Sequence, residues 1–384
     1  MSRFSRALIA ARTAARTVLA GALYVVAASL VASLVASPLL AQKKDADPKP
    51  PKPAKDLAAA PKKPKVSKLF KSETPLEITL TANFKQLRKE KSNTAPWHAA
   101  TIAYTDSTGK SVKVPLRART RGIWRLKHCE FPPLRLNFAS KTSKESVFDD
   151  LDEPKLVSYC KASSNAESYV LHELQLYRIY AALTPYSHQT RLLKVTYVDS
   201  ASGSTEFTRY AFLVEDPARM AERLGGNMID IKGATLEDME PKDAAIAAMF
   251  QYMIGNTDFS FSGLHNGEML ALPTGRMVPV AYDFDFAGVI NPPYASPSMG
   301  TRIKSVRDRQ FLGHCGNDAG YAQAVLHFQA RKDSIYKLYA DPVGSLLKPN
   351  VVREALEYYD DFYKDISTPT LLKRNLLADC TNSR

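Results

Sequence analysis

Between Leu76 and Asp216 the chain reads almost entirely as short strands, and that run limits the possible folds more than any other feature. LEITLTA (76–82) alternates apolar and polar residues with a period of two. ATIAYTDSTGKSVKVPLRARTRG (100–122) reads as a hairpin, two alternating runs around Asp106-Ser107-Thr108-Gly109. FPPLRLNF (131–138) and KLVSYC (155–160) are further strand segments, and RLLKVTYVDS with TRYAFLVED (191–200 and 208–216) forms a second hairpin around Ser202-Gly203. One long helix interrupts the run, SYVLHELQLYRIYAALT (168–184). Its apolar residues recur at steps of three and four, and Pro185 follows it. Past Pro217 the character changes. ARMAERLG and DAAIAAMFQYMIG are helical, VPVAYDFDFAGVI (278–290) reads as a short buried strand pair, and Ala319 to Asp365 reads as two or three helices. This order predicts an α+β protein with a β-rich part over 72–216 and a mostly helical part over 217–384.

The net charge of +13 over 384 residues suggests nucleic-acid binding until it is localised. Residues 1–71 hold 14 Lys and Arg against 3 Asp and Glu, so they carry +11 and the rest carries +2. A nearly neutral folded part argues against a nucleic-acid partner. Arg3, Arg6, Arg12 and Arg16 precede a stretch from Thr17 to Ala41 without charge. A basic segment before an apolar one is an export signal, and residues 1–41 are read as a signal peptide cut near Ala41–Gln42 or as an uncleaved signal anchor. Residues 42–71 are rich in Lys, Pro and Ala, and 42–66 hold no aromatic residue, so the segment is read as a disordered tether. The expected location is periplasmic or secreted, with membrane contact only through the N-terminal segment. Cys129, Cys160, Cys315 and Cys380 are an even set in an exported chain, which favours disulfides. The preferred pairing is Cys129–Cys160 with Cys315–Cys380, since each closes a local segment. Four buried thiols are the alternative.

The segment QYMIGNTDFSFSGLHN (251–266), followed by VPVAYDFDFAGV (278–289), carries the densest set of chemically capable residues. Asp258 and Asn266 leave a helix end, and Asp283 and Asp285 leave an apolar strand. A loop offering Asp and Asn beside a strand offering Asp suits magnesium, which prefers hard oxygen ligands, and hence phosphoryl transfer. Local turn capping by Asn256 and Asp258, with Asp285 paired to an arginine, is the plainer use of the same residues. Arg302, Arg307 and Arg309 are read as salt-bridging residues or as anion ligands.

"MIGNTD…HN" followed by "YDFDF" resembles the catalytic and metal-binding segments of atypical kinases of the spore-coat protein H (CotH) kinase-like family, and more distantly of HipA-type kinases. Arg119-Thr120-Arg121-Gly122 resembles the early R-x-R-G segment of that family. The resemblance implies a two-lobed protein-kinase-like fold, with a β-rich N-lobe and a mostly helical C-lobe. It implies Asp258 as the catalytic carboxylate, with Asn266, Asp283 and Asp285 as metal ligands. Glu173 would orient a basic residue at the nucleotide phosphates; Arg135 stands where that residue would fall, with Lys155 or Lys127 as substitutes. Glu215 would end the strand leading to the inter-lobe hinge. The implied cofactors are Mg²⁺ and ATP, and the implied substrate is a hydroxyl on a protein or envelope component. Asn266 lies eight residues after Asp258, a longer loop than protein kinases use. The alternatives carried forward are a catalytically inactive binding or scaffold protein and a hydrolase using the same carboxylates.

Overall fold

The computed structural model describes residues 66–381, so the expected signal segment and most of the tether lie outside the described residues. The tether as read from sequence ends at Lys71, but Lys68–Lys71 already form a 3-10 turn that buries Leu69. The strands are β1 (Leu76–Ala82), β2 (His98–Thr105), β3 (Ser111–Thr120), β4 (Leu134–Asn137), β5 (Lys155–Val157), β6 (Thr190–Asp199), β7 (Thr205–Val214), β8 (Asn227–Ile229), β9 (Gly267–Ala271) and β10 (Met277–Ala281). The helices are α1 (Phe84–Lys89), α2 (Trp124–His128), α3 (Ser140–Ser143), α4 (Ala166–Leu183), α5 (Pro217–Leu224), α6 (Pro241–Ile254), α7 (Asp318–Lys337), α8 (Pro349–Asp365) and α9 (Pro369–Asn375).

Seven strands close into a barrel in the order β1-β2-β3-β4-β5-β7-β6. Most neighbours are antiparallel, but closure comes from a parallel pair, β1 on β6, in register from Leu76↔Leu193 to Ala82↔Asp199. This overturns the expected two-lobed protein-kinase-like fold: the β-rich part is a closed barrel, and helices gather mostly in the C-terminal part. The physical reason is that closure removes the exposed sheet edges. It does so through a pairing between segments more than a hundred residues apart, which local alternation cannot report. Inside the barrel Phe131 and Tyr197 pack with ring centroids 5.0 Å apart, with Phe84 and Phe207 alongside.

Beyond the barrel, β8, β9 and β10 form a separate antiparallel sheet. The strand pair expected within 278–290 is therefore β10 alone, and its partner is the unanticipated β9, with Ala281 opposite Gly267. Residues 283–290 form turns instead. Helices α4 and α6 are buried on nearly every face, as their mixed apolar periodicity demands. α4 packs on β7 and α7, and one apolar core runs from Leu69 in the barrel region to Leu376 after α9. Tyr358, Tyr359, Phe362 and Tyr363 of α8 belong to it.

Both expected disulfides are present. Cys129–Cys160 and Cys315–Cys380 close segments of 31 and 65 residues, and Cys160 and Cys129 are buried. Two structural disulfides fit an oxidising, extracytoplasmic environment. Among the described residues no helix is long and apolar enough to cross a membrane.

Candidate functional site

α6 ends because Gly255 takes the left-handed conformation (φ 68°) and its N–H caps the carbonyls of Gln251 and Tyr252. The chain then turns through Asn256, whose side-chain oxygen accepts from the Asp258 N–H at 3.0 Å and whose amide donates to Gln251 at 3.0 Å. The turn capping read from sequence is thus real for Asn256, and its effect is to present Asp258. The Asp258 carboxylate lies 2.9 Å from His265 Nε2 and accepts from Asn266 Nδ2 at 3.0 Å; the same amide also donates to the Asp258 carbonyl at 2.7 Å. The hydrogen bond to Asp258 is the main reason the His265 imidazole is held above its usual pKa.

Asn266 enters β9 and Asp283 leaves β10, so the antiparallel register sets them side by side: Tyr282 donates to the Asn266 carbonyl at 3.2 Å. Both residues have positive φ, 48° for Asn266 and 60° for Asp283. Non-glycine residues in this conformation store strain that the surroundings must offset, and such strain gathers at working sites. The Asp283 N–H donates to Tyr177 Oη of α4 at 2.9 Å. The Asp283 carboxylate influences Glu173, Asp285, Arg121, Lys155 and His265, so these groups share one neighbourhood.

The basic side is less regular than expected. Lys155 of β5 is buried, 4.0 Å from Glu268 Oε1 and 4.0 Å from the Tyr282 ring centroid. Burial lowers its pKa, and Glu268 offsets this only in part. Glu268 itself is held by His188 at 2.9 Å. Glu173, expected to orient a basic residue at the phosphates, is buried and acted on by Asp285 and Asp283 and then by Arg125 and Arg121. Arg125, on α2, stands 3.9 Å from Asp285 Oδ2 and donates to the Ser158 carbonyl. Arg135 stands opposite Lys155 in the β4–β5 pair and reaches Glu153 at 3.4 Å. Glu215 is locked by Arg223 at 2.8 Å and by the Gln189 N–H at 3.0 Å, and Lys127 is exposed. Arg309 donates to the carbonyls of Tyr252 and Met253 at the end of α6, a structural use. The functional neighbours missed from sequence are Arg125, His188 and Glu268. Only the arginine in the R-x-R-G segment, Arg121, had signalled that this stretch reaches the site.

Several buried polar atoms of the cluster have no hydrogen-bond partner: Arg121 Nε, Arg125 Nε and Nη1, Ser158 Oγ, Glu173 Oε1 and Asp285 Oδ2. Such atoms cost about 1–3 kcal/mol each, and both signs are represented. Burial first, and then Asp283, pushes the Asp285 carboxyl up to about 7; burial followed by Asp285 raises Glu173 well above the usual range. Each acid therefore binds its proton more tightly folded than unfolded. For Asp285 folding takes up a proton between the ordinary carboxylate range and about pH 7, so its contribution to stability should fall as pH rises through that window, and Glu173 adds to the same downward trend. Urea unfolding between pH 4.5 and 8 should show this decline, at most about 1.4 kcal/mol per pH unit per acid. The slope should shrink in Asp285→Asn.

Among the described residues no group of three or more His, Cys, Asp or Glu is placed to hold a metal ion. Asn266 Nδ2 donates to the Asp258 carboxylate at 3.0 Å, Asp283 lies beside Asn266 across the β9–β10 register, and Asp285 Oδ2 faces Arg125 Nη1 at 3.9 Å. The chain matches no protein-family model and no curated protein.

Proposed function

We propose that this chain is an extracytoplasmic phosphotransferase that passes a phosphoryl group from a nucleotide to a hydroxyl on a protein or envelope component. The observation that carries this reading is the meeting of Asp258, His265 and Asn266 with Asp283 in one polar neighbourhood shared with Lys155 and Arg121. The resemblance of the same segments to the spore-coat protein H kinase-like family supports it. A likeness in fold does not enter, since the barrel differs from a two-lobed kinase.

Asp258, about a third exposed and oriented by His265 and Asn266, is the group that accepts the proton of the attacking hydroxyl. Lys155 and Arg121 hold negative charge on the phosphates. Magnesium suits the donor set: Asn266 keeps its amide oxygen for a ligand because its nitrogen serves Asp258, and Asp283 adds a carboxylate. Two such ligands are enough for an ion that takes the rest of its shell from phosphate and water, and its charge would offset that of the phosphate oxygens. The disulfides place the domain beyond the cytoplasm, and the leader suggests a periplasmic or secreted location, free or anchored.

A non-catalytic binding protein is the second reading. It is favoured by Arg125 and Arg121, whose charges offset those of Asp285, Asp283 and Glu173. Calorimetric titration of the purified chain with ATP and magnesium separates the two. The phosphotransferase reading expects saturable binding that weakens about tenfold or more in Asp283→Ala, a loss of about 1.4 kcal/mol or more. It further expects phosphate transfer lost in Asp258→Asn while nucleotide binding persists. Binding that is absent, or indifferent to Asp283→Ala, would leave the non-catalytic reading.

A further inference from the structure

β3, β4 and β5 set a row of like charges side by side. The register pairs Arg119 of β3 with Arg135 of β4, and Arg135 in turn with Lys155 of β5. The chain neighbours Ala118, Thr120, Leu134 and Leu136 are buried, so the two arginines lie on the opposite face of the sheet from them. Arg119 and Arg135 keep 27 % and 28 % of their side-chain surface exposed, and Lys155 keeps 11 %. Arg117, two residues back on the same face of β3, is exposed and held by Asn137 at 2.8 Å. The Trp97 ring has the Arg119 guanidinium 4.4 Å and the Arg117 guanidinium 5.6 Å from its centroid.

Like charges directly opposite one another weaken a sheet, and here two such pairs follow in succession. Glu153 compensates in part. It lies 3.4 Å from Arg135 and 3.9 Å from Arg119, the latter beyond hydrogen-bond reach. Glu268 stands 4.0 Å from Lys155, and Asp216 is within electrostatic reach of Arg135. One shared carboxylate cannot saturate the donors of two guanidinium forks. The row therefore costs stability in the chain alone and calls for an anion from outside it.

The spacing selects among anions. Neighbouring strands lie about 4.8 Å apart, so the row extends roughly 10 Å. A single phosphate or carboxylate spans only part of it. In an extended acidic peptide, carboxylates on one side recur about every 6.6 Å and fall out of step with the row. A nucleic acid gains from bases stacked on aromatic rings, but Trp97 is already engaged by two guanidinia. In linear polyphosphate every phosphate carries negative charge and shares an oxygen with the next. Each cation of the row then meets a charge, through oxygens that match an arginine fork. We propose that Arg117, Arg119 and Arg135, with Lys155 at the buried end, bind linear inorganic polyphosphate laid across β3, β4 and β5. The proposal does not rest on phosphotransfer, and its test uses neither nucleotide nor magnesium.

Calorimetric titration of the intact chain with short linear polyphosphate should show saturable binding that weakens as salt rises. Orthophosphate, poly-L-glutamate and oligothymidylate should each bind about tenfold more weakly or worse. Arg119→Thr and Arg135→Thr should each weaken polyphosphate binding about tenfold or more, the loss of a charge-assisted contact. Each should also lower the slope of log affinity against log salt by about one. Lys373→Thr, the same change of charge on α9, should do neither. Arg135→Thr removes two like-charge pairs, so it should melt no lower than the parent chain. A fall in its melting point with the salt slope unchanged would make the arginine structural and overturn the assignment. So would the absence of saturable polyphosphate binding, a control anion that binds as tightly, or arginine variants that bind polyphosphate as the parent does. Arg119→Thr decides the matter should Arg135→Thr not fold.

Discussion

Gly255→Ala should lower the melting temperature by roughly 5–10 °C and displace Asp258 from its partners. Two separate effects add at this position. The residue sits at φ 68°, where a side chain costs about 1–2 kcal/mol. A Cβ would also fall 2.0 Å from Tyr358 Oη and 3.0 Å from its ring carbon Cζ. Tyr358 cannot retreat freely, because it is buried in α8 and donates to the Arg307 carbonyl at 3.1 Å. Forcing a methyl group into such a contact costs a further 1–3 kcal/mol or so. The backbones of Gly255 and Gly288 also meet here, the Gly288 N–H donating to the Gly255 carbonyl at 3.0 Å. That contact ties the loop bearing Asp258 to the segment that follows Asp283 and Asp285. Gly275→Ala is the control, since Gly275 has φ 83° with nothing within 4 Å of the added Cβ. It should lose only the conformational part, about 1–2 kcal/mol. Differential scanning calorimetry of the two variants would separate the parts, and equal losses would show that the Tyr358 contact is harmless.

Removing the Cys129–Cys160 bond, as Cys129→Ser with Cys160→Ser, should cost about 3–4 kcal/mol of stability, the loop-closure value for a crosslink spanning 31 residues. The effect on the site should be as large as that on the fold. Cys129 ends α2, which carries Arg125, and Cys160 follows β5, which carries Lys155 and leads to Ser158. The bond thus fastens the helix that brings Arg125 to Asp285 to the strand that brings Lys155 to Glu268. Backbone hydrogen bonds from Glu130 and Phe131 to the Cys160 carbonyl reinforce the same junction. If Arg125 shifts, Asp285 loses its nearest cation, so the double variant should lose ligand binding at urea concentrations too low to unfold the barrel. Opening Cys315–Cys380, which joins the segment before α7 to the C-terminal turn, should give a comparable stability loss without that binding defect. A variant that unfolds more easily yet keeps full binding would show that the crosslink supports the fold alone.

Local pattern was enough to find most elements. LEITLTA became β1 without a change of boundary, and the two hairpins and the long helix fall within two residues of their expected limits in most places. The disulfide partners were legible because each joins neighbouring segments of an exported chain. The sequence also singled out Asp258, Asn266 and Asp283, polar residues that lie in short loops at the ends of α6, β9 and β10. The basic partners were harder to place. Lys155 lies on a three-residue strand, and Arg125 sits on a five-residue helix with no periodic signature.

The sequence by itself determined most of the barrel strands and the long helices, where the charge lies and which cysteines pair. Those properties depend on side-chain spacing over a few residues and on composition. Only the tertiary structure decided that β1 runs parallel to β6 and shuts the barrel, that β9 exists to carry Asn266 beside Asp283, and that Arg125 meets Asp285. Each of these is a contact between segments far apart in the chain. Its free energy comes from burying shared surface and pairing distant polar groups, and no period in the sequence records that.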